Sequence, residues 1–479
     1  PGTTRAGAKE PLMDRLIEPG LAERLSINDK LERKLYPWFF PRCRVRILLY
    51  ADGSVRFNGG GFLGLQRVLH ALATDPWFWV TFDVTTAHRG TDPSADISNT
   101  TLDTLNLAGN YDEVWLFGIN GPTTGYLTPA ELTALHGFMD DGGAVLVTGD
   151  HDNLGSGMAA QVQRAGKMRL WDPAAGAPTA SGVNQHDTLQ AGGSQSDAIP
   201  QPIRLKTYWA GWFTRAPHPL LCGPTGPINI LPDHMHEGEA VAPAVLDPAE
   251  WPSSGGGFQP APEAIAWGRI TQGNDAGQEF PVISVYNGHP AGVGRIVADS
   301  TWHHWFDINM LGFAAGSAEE AEIYAYFRNV AVWLAPPRLQ RCMRRRLCWN
   351  ALYLDPLVML SPQLPLHVLG RIARDAFGKY APQCMIVQWW WHDLIEIDLH
   401  ERLDKLRELD PPGFDRLPDL VIGGVIQQLR ERFPGDVVPD EPPADDTIDP
   451  AFEGAGKRAF GAMVKSLSES ESQLRRIAG

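Results

Sequence analysis

The sequence predicts an α/β protein with a flavodoxin-like, doubly wound and mainly parallel sheet, followed by a C-terminal helical extension. Two observations support this fold class. Up to about residue 338, short apolar segments rich in β-branched residues alternate with amphipathic helical segments, as in a parallel sheet with crossover helices. Beyond that point the chain changes to helical segments with many aromatic residues, such as LHVLGRIARDAFGKY and VIGGVIQQLRERF.

The predicted sheet begins with RVRILLY, which ends at ADGS and is followed by NGGGFLG and the helical segment LQRVLHALAT. The strands WFWVTFDVTT and DEVWLFGI come next. LTPAELTALHGFMDDG predicts a helix in which Thr128 is the N-cap, Pro129 the first helical residue and Glu131 the partner in a capping box. The strand AVLVTG follows at once. Because parallel strands end at one edge, we expect ADGS, GINGP and GDHDN to lie together there.

The rest of the chain divides by composition. A long irregular insertion near 155–280 is rich in Gly, Pro, Ser and Trp. Its composition fits a lid or binding loop, and it fits equally an insertion with a purely structural role. PVISVYNG and GRIVADS then predict a hairpin, followed by TWHHWFD and the closing helix EEAEIYAYFRNVAVWLA. The predicted segments are an N-terminal helical segment (1–43), the α/β domain (44–338), the helical extension (339–432) and an acidic, proline-rich linker with a terminal helix (433–479).

Charge and composition exclude several functions. The chain has 41 basic and 56 acidic residues, a net charge of −15, so its surface repels phosphate backbones and anionic lipid. The basic stretch RCMRRRLC fits a solvated helix face or salt-bridge partners. No apolar run of about 18 residues is present, and neither a P-loop nor a dinucleotide fingerprint occurs. We therefore expect no nucleic-acid partner, no membrane partner and no nucleotide cofactor.

The five cysteines are scattered and form no CxxC pair, so the sequence predicts neither a disulfide framework nor a thiolate zinc site. The first residues, PGTTRAGAKEP, lack the pattern of a secretory signal. Both observations lead us to expect a cytoplasmic protein.

Polar residues at the predicted strand ends are candidates for chemistry. In GDHDNLG, Asp150 and His151 follow a buried strand, where the fold places active sites, although Asp150 could instead cap a turn. Asp52, Asn120 and Gly121 follow neighbouring strands and are candidates for binding substrate or stabilising negative charge. Serine and cysteine nucleophiles are not predicted, since no GxSxG occurs and no cysteine lies at these strand ends.

The segment DHMHEGE carries a candidate metal site. His234 and His236 are two residues apart, so in an extended chain both rings point to the same side. With Glu237 or Glu239, or with a residue from another segment, they would supply three ligands for one divalent ion such as Zn, Fe or Mn, with a position left open for water. Ordinary hydrogen-bonded loop histidines are the alternative.

The segment TWHHWFD places His303 and His304 side by side between two tryptophans. Neighbouring residues point in different directions, so we expect one histidine to face a site and the other to support it. Trp302 and Trp305 would then provide apolar walls or a stacking surface for substrate. The alternative for the tryptophans is a place in the core.

Residues 44–336 resemble the class I glutamine-amidotransferase-like fold and, within it, the trehalose-utilisation (ThuA-like) branch. The resemblance depends on RILLYADG, LTPAELTALHGFMDDGGAVLVTGDHD, HPLLCG, GVGRIVADSTWHH and FRNVAVWLA. Amidotransferases carry a cysteine after the strand that here is AVLVTG, whereas this chain has Gly149, Asp150 and His151, which argues against glutamine hydrolysis. In the ThuA-like branch, which is associated with sugar metabolism, the resemblance implies functional roles for His151 and for His303 or His304.

These observations predict a hydrolase or lyase-like enzyme that acts on a small polar substrate, a sugar derivative or an amide. His151 and one of His303 and His304 would be the general acid and base, and Asp150 or Asp152 would orient an imidazole. The alternative is a catalytically inactive member of the fold that binds a protein partner or a second copy through its helical extension. The cluster WWWHD (389–393) is the candidate contact, because exposed apolar patches mark interfaces. Burial of the cluster against the α/β domain is the alternative.

Overall fold

A computed structural model of the chain describes residues 42–58, 63–74, 77, 79–121, 126–171, 185–188, 200–209, 215–234, 236–354, 364–378, 381–382, 384–386 and 411–432, with scattered positions between 450 and 476. The chain divides into two compact units, one of Arg42–Met343 and one of Pro1–Pro41 together with Arg344–Gly479. The predicted contact cluster WWWHD, the N-terminal segment 1–41 and the acidic linker 433–449 lie outside the described residues.

The first unit contains short and long strands that we number along the chain. They are β1 (Cys43–Ala51), β2 (Val80–His88), β3 (Ile97–Ser98), β4 (Glu113–Phe117), β5 (Ala144–Val147), β6 (His186–Asp187), β7 (Gln201–Pro202), β8 (Arg204–Leu205), β9 (Thr207–Trp209), β10 (Arg215–Pro217), β11 (Ile230–Leu231), β12 (His236–Glu237), β13 (Glu263–Arg269), β14 (Glu279–Tyr286) and β15 (Ile296–Asp299).

Nine of the described strands form one sheet, in the order β3-β2-β1-β4-β5-β15-β14-β13-β8. The neighbours from β3 to β15 are parallel, and β14, β13 and β8 extend the sheet with antiparallel pairs. Leaving aside the two-residue β3, the parallel strands lie in the 2-1-3-4-5 order of flavodoxin-like folds. The predicted fold class is therefore confirmed, including the hairpin of β14 and β15.

The central strands β4, β5 and β15 are buried along their whole length. Helices cover both faces of such a sheet, which is why these segments read as continuous apolar runs instead of alternating patterns. β4 contains one acidic residue, Glu113, which is fully buried and whose carboxyl group accepts a hydrogen bond from the indole N–H of Trp115 at 2.9 Å.

Helices connect the strands and follow the sheet. In the first unit the α-helices are Gln66–Ala73, Leu107–Asn110, Pro129–Asp140, Ser156–Ala159 and Ala318–Leu334, and Pro337–Leu354 begins there. Short 3-10 turns occupy Leu102–Thr104, Ala165–Met168, Pro219–Leu221, His289–Ala291, Trp302–His304 and Asp307–Gly312. The helix Pro129–Asp140 has the predicted capping box, because the Thr128 hydroxyl accepts from the N–H of Glu131 and the Glu131 carboxylate accepts from the N–H of Thr128.

The predicted irregular insertion contains more regular structure than its composition indicates. It supplies β13 and β8 to the main sheet and the short antiparallel pairs β9–β10, β7–β11 and β6–β12. These strands are two to seven residues long, too short for a clear alternation of apolar and polar residues. No helix among the described residues combines the length and apolarity needed to cross a bilayer.

Two cysteines correct a prediction made from the sequence. Cys43 at the start of β1 and Cys342 in the helix Pro337–Leu354 form a disulfide, with Cα atoms 6.0 Å apart. They are separated by 299 residues, so no local spacing could indicate the pairing. The bond also removes the support that the cysteine pattern lent to a reducing compartment.

The second unit contains the helices Leu366–Phe377 and Pro411–Arg432, as the predicted helical extension requires. They pack closely at Gly370 and Gly423, where the backbones approach so tightly that a Cβ atom at either glycine would clash with the other helix. A salt bridge of 3.0 Å between Arg374 and Asp419 also joins the two helices.

Candidate functional site

The carboxyl ends of the parallel strands carry the predicted polar residues. Asp52 directly follows β1, Asn120 follows β4, Asp150 follows β5, and His303 lies in the short turn after β15. Because β1, β4, β5 and β15 are consecutive neighbours, these residues lie along one edge of the sheet.

Asp150, His234 and His303 converge at this edge. Each offers a ligating atom, and these atoms all lie within 4.8 Å of one another. His303 Nε2 lies 3.4 Å from Asp150 Oδ2, and the rings of His234 and His303 stack in parallel with centroids 3.8 Å apart. All three residues are buried, with 1–2% of their surface exposed. The structure therefore brings together residues from GDHDN, DHMHEGE and TWHHWFD.

A hydrogen bond fixes the orientation of His303. Its Nδ1 lies 2.9 Å from Oδ1 of Asn309, whose amide Nδ2 donates to the carbonyl of Asp233 at 2.8 Å. The amide oxygen of Asn309 must therefore accept from Nδ1–H. Nε2 is then free to act as a ligand or proton carrier toward Asp150, which is how second partners orient metal-binding histidines.

Asp150 is held equally firmly. The hydroxyl of Thr301 donates to Oδ1 at 3.0 Å, which leaves Oδ2 facing His303 and, at 3.8 Å, Nε2 of His151. Burial opposes ionisation of this carboxyl, but the neighbouring imidazoles of His303 and His151 outweigh it and lower the pKa of Asp150. Asp150 is therefore an anion near neutral pH, as a metal ligand or an imidazole partner must be.

His151 is the more accessible histidine at this edge, with 16% of its side chain exposed. Its Nδ1 lies 3.0 Å from the carboxylate of Asp152, whose backbone has a positive φ of 53°. His151 therefore lies between a buried carboxylate and a half-exposed one, at the border of the buried cluster.

The irregular insertion delivers His234 to the sheet. Two backbone hydrogen bonds hold the segment that follows His234. The N–H of Ala240 donates to the carbonyl of Pro281 in β14 at 3.0 Å, and the N–H of Val241 donates to the carbonyl of Met168 at 2.8 Å. Closer to the histidine, the carboxylate of Asp233 accepts from the N–H of His234 at 2.7 Å and from the Thr188 hydroxyl at 2.8 Å. The insertion is thus part of the site.

His304 makes a different set of buried contacts from His303. Its Nδ1 lies 2.6 Å from Asp299 Oδ1 and its Nε2 lies 3.3 Å from Glu237 Oε1. Burial alone would lower its pKa, but Asp299 and Glu237 raise the pKa of His304 to about 10. His304 is consequently a buried cation. Glu237, predicted as a metal ligand, accepts from Ser300 at 3.0 Å and pairs with His304 instead of joining His234.

The remaining predicted site residues are spread more widely. His236 lies in β12, and its side chain is outside the described structure. Trp302 is 5% exposed, and its indole N–H has no hydrogen-bond partner among the described residues. Trp305 is fully buried in the core, where it packs against Trp115 and donates to Asp299 at 2.9 Å.

Asp52, which directly follows β1, is hydrogen-bonded to the backbone that follows β4. Its Oδ1 accepts from the N–H of Ile119 at 2.8 Å and of Asn120 at 3.4 Å. Burial raises the pKa of Asp52, against the effect of these two N–H groups. The N–H of Asn120 is therefore directed at Asp52, and Gly121 is half-buried beside the carbonyl of Asn153.

Thr301, Asn309 and Asp233 support the site but were not predicted from the sequence. Only Thr301 carries a local signal, since its hydroxyl accepts from the N–H of His303 at 3.1 Å as the N-cap of a short turn. Comparison of the chain with protein families, with curated proteins and with solved structures found no match.

Proposed function

We propose that the chain is a hydrolase or lyase-like enzyme for a small polar substrate, and that Asp150, His234 and His303 bind one divalent cation at its active site. The single observation that carries this proposal is the convergence of the three buried ligating atoms within 4.8 Å. Two imidazoles and one carboxylate are a common ligand set for Zn, Fe(II) and Mn sites that keep open positions.

The donor geometry fits a cation. Ligand atoms about 2.0–2.2 Å from a tetrahedral ion lie roughly 3.3–3.6 Å from each other, and the distance between His303 Nε2 and Asp150 Oδ2 is 3.4 Å. Asn309 binds Nδ1 of His303, and Thr301 binds Oδ1 of Asp150. The other two atoms, Nε2 of His303 and Oδ2 of Asp150, therefore remain available and lie near each other.

A divalent ion at this position would polarise an oxygen of the substrate or lower the pKa of a water molecule. The residues of the chain supply the rest. Asp150, His234 and His303 would hold the ion, burial keeps the site largely free of bulk water, and His151 at the border can take or give a proton. Acid–base chemistry by His151 and His303 with Asp150 is the version without a metal.

We also propose that the α/β unit belongs to the amidotransferase-like class and to its ThuA-like branch, with a sugar derivative or an amide as substrate. Support comes from the 2-1-3-4-5 order of the parallel strands and from the positions of His151 and His303 after β5 and β15. Because one fold can host several reactions, a substrate screen must include both sugar derivatives and amides.

The test combines metal analysis with a substrate screen. Chelator-treated protein would be loaded with Zn, Mn or Fe(II), and its turnover measured on a panel of glycosides and amides. We expect one tightly bound ion per chain and turnover that requires it, with both lost in His303→Ala and retained in His70→Ala, which alters an exposed histidine of the helix Gln66–Ala73. Turnover that survives both chelation and His303→Ala would contradict the proposal.

A further inference from the structure

A buried arginine joins the two strand ends that carry the candidate ligands. Arg169 is fully buried, and its Nη2 donates to the backbone carbonyl of Asp150 at 3.3 Å and to the carbonyl of Ser300. Asp150 follows β5, whereas Ser300 directly follows β15 and precedes His303 by three residues. One guanidinium nitrogen therefore bridges the backbone of both ligand-bearing segments.

Two glycines make room for this guanidinium. A Cβ atom at Gly149 would clash with Nη1 of Arg169 and lie 2.8 Å from its Cζ. A Cβ atom at Gly238 would lie 2.5 Å from Nη2, 2.8 Å from the carbonyl of Asp150 and 2.9 Å from that of Ser300. Such distances are shorter than normal van der Waals contact, so both positions need glycine as long as the arginine stays where it is.

The charge environment keeps Arg169 in place. Burial lowers the pKa of Arg169 to about 10, while Asp150, Asp299 and Glu237 act in the opposite direction. The guanidinium is therefore cationic at neutral pH, and it lies 4.5 Å from the centre of the Trp171 ring, within range of a cation–π contact.

The arrangement is costly for the fold. Nε and Nη1 of Arg169 are buried without a hydrogen-bond partner among the described residues. A buried donor without a hydrogen-bond partner destabilises a folded protein. An apolar side chain would avoid this cost, but it could not donate to the two carbonyl groups.

We infer that Arg169 is a positioning residue, which sets the spacing between Asp150 and His303 and so the geometry of the cation site. This inference rests on the proposed function. The guanidinium holds the carbonyl of Asp150 directly, and it holds His303 through the short segment from Ser300 to the turn Trp302–His304. Its loss would let the two ligands separate without removing either one.

The test uses Co²⁺ as the probe, because its visible absorption reports ligand geometry as well as binding. Gly238→Ala inserts a methyl group between the guanidinium and both carbonyls, and Arg169→Lys keeps the charge but loses the fork of donors. Gly255→Ala is the matched control, since no atom lies within 4 Å of its Cβ position. Circular dichroism of each metal-free variant would establish that it is folded.

We expect Gly238→Ala and Arg169→Lys to weaken Co²⁺ binding at least tenfold and to change its absorption spectrum, and Gly255→Ala to leave both unchanged. Should Gly238→Ala fail to fold, Arg169→Lys decides the question by the same two measurements. Wild-type affinity and spectrum in the folded variants would overturn the role of Arg169 alone. Absence of Co²⁺ binding by the wild-type protein would refute the proposed function and the role of Arg169 together.

Discussion

Replacing Thr301 by valine removes one hydroxyl from the centre of the candidate site while nearly preserving the shape of the side chain. Thr301 is fully buried, and its hydroxyl makes two hydrogen bonds in the described structure. It donates to Asp150 Oδ1 at 3.0 Å and accepts from the N–H of His303 at 3.1 Å. Valine makes neither bond, so both partners lose a bond in a buried environment.

The expected cost follows from these two bonds. A hydrogen bond to an ionised group contributes about 1.5–3 kcal/mol, and an N-cap contributes about 1 kcal/mol. Thr301→Val should therefore lower the free energy of unfolding by about 2.5–4 kcal/mol. It should also weaken metal binding about 10–100-fold, as the loss of groups that support metal ligands usually does.

The assay is urea unfolding of the metal-free protein followed by tryptophan fluorescence, together with titration by Zn²⁺. Thr301→Ser is the matched control, because it keeps the hydroxyl and should stay within about 1 kcal/mol of the wild-type value. Equal stability and equal Zn²⁺ affinity in the valine and serine variants would refute the reasoning, since the hydroxyl would then support neither Asp150 nor His303.

Three further predictions concern the stability of the α/β unit. Thr128→Ala removes the capping box of the helix Pro129–Asp140 and should lower the free energy of unfolding by about 1 kcal/mol, measured by urea titration. Burial raises the pKa of Glu113 in the folded protein well above its usual range. The wild-type protein should therefore lose stability as the pH rises from about 4.3, the pKa of Glu in the unfolded chain, through the pKa in the folded protein. Glu113→Gln should therefore have a higher Tm than wild type at pH 8 by calorimetry, and the difference should vanish near pH 4. Reduction of the Cys43–Cys342 disulfide should cost about 2–4 kcal/mol, and an unchanged Tm in reducing agent would contradict this.

The sheet was predictable from the sequence because its signals are local. Buried strands such as β4 and β5 appear as apolar runs, and Thr128 and Glu131 mark the start of a helix by their spacing. β13 was missed, since it lies in a Gly- and Pro-rich region and includes a register irregularity around Ala266.

The site was predictable only in part, because its contacts join segments that are distant in sequence. The strand ends indicated Asp150, and the sequence predicted that one of the two histidines in TWHHWFD would face a site without deciding which. In the structure His303 is the one that lies beside Asp150. The expectation for His234, His236 and Glu237 depended on the spacing within an extended strand. Glu237 instead faces His304, since tertiary packing decides which segment supplies each partner.

Arg169 could not have been predicted from any spacing. Its bonds reach Asp150 and Ser300, which are 19 and 131 residues away. Asn309 is similar, because its amide is oriented by the carbonyl of Asp233, 76 residues earlier. Such supporting residues become visible only when the fold has brought the segments together.

The most direct test of the central claim is a crystal structure of the protein with Zn²⁺, with anomalous diffraction recorded at the zinc edge. The proposal predicts one anomalous peak about 2.0–2.2 Å from a carboxylate oxygen of Asp150, from Nε2 of His303 and from a ring nitrogen of His234. Two results would contradict the proposal. One is a fully occupied peak elsewhere, for example between His186 and Glu239, and the other is the absence of a peak beside an intact Asp150–His303 pair at saturating Zn²⁺.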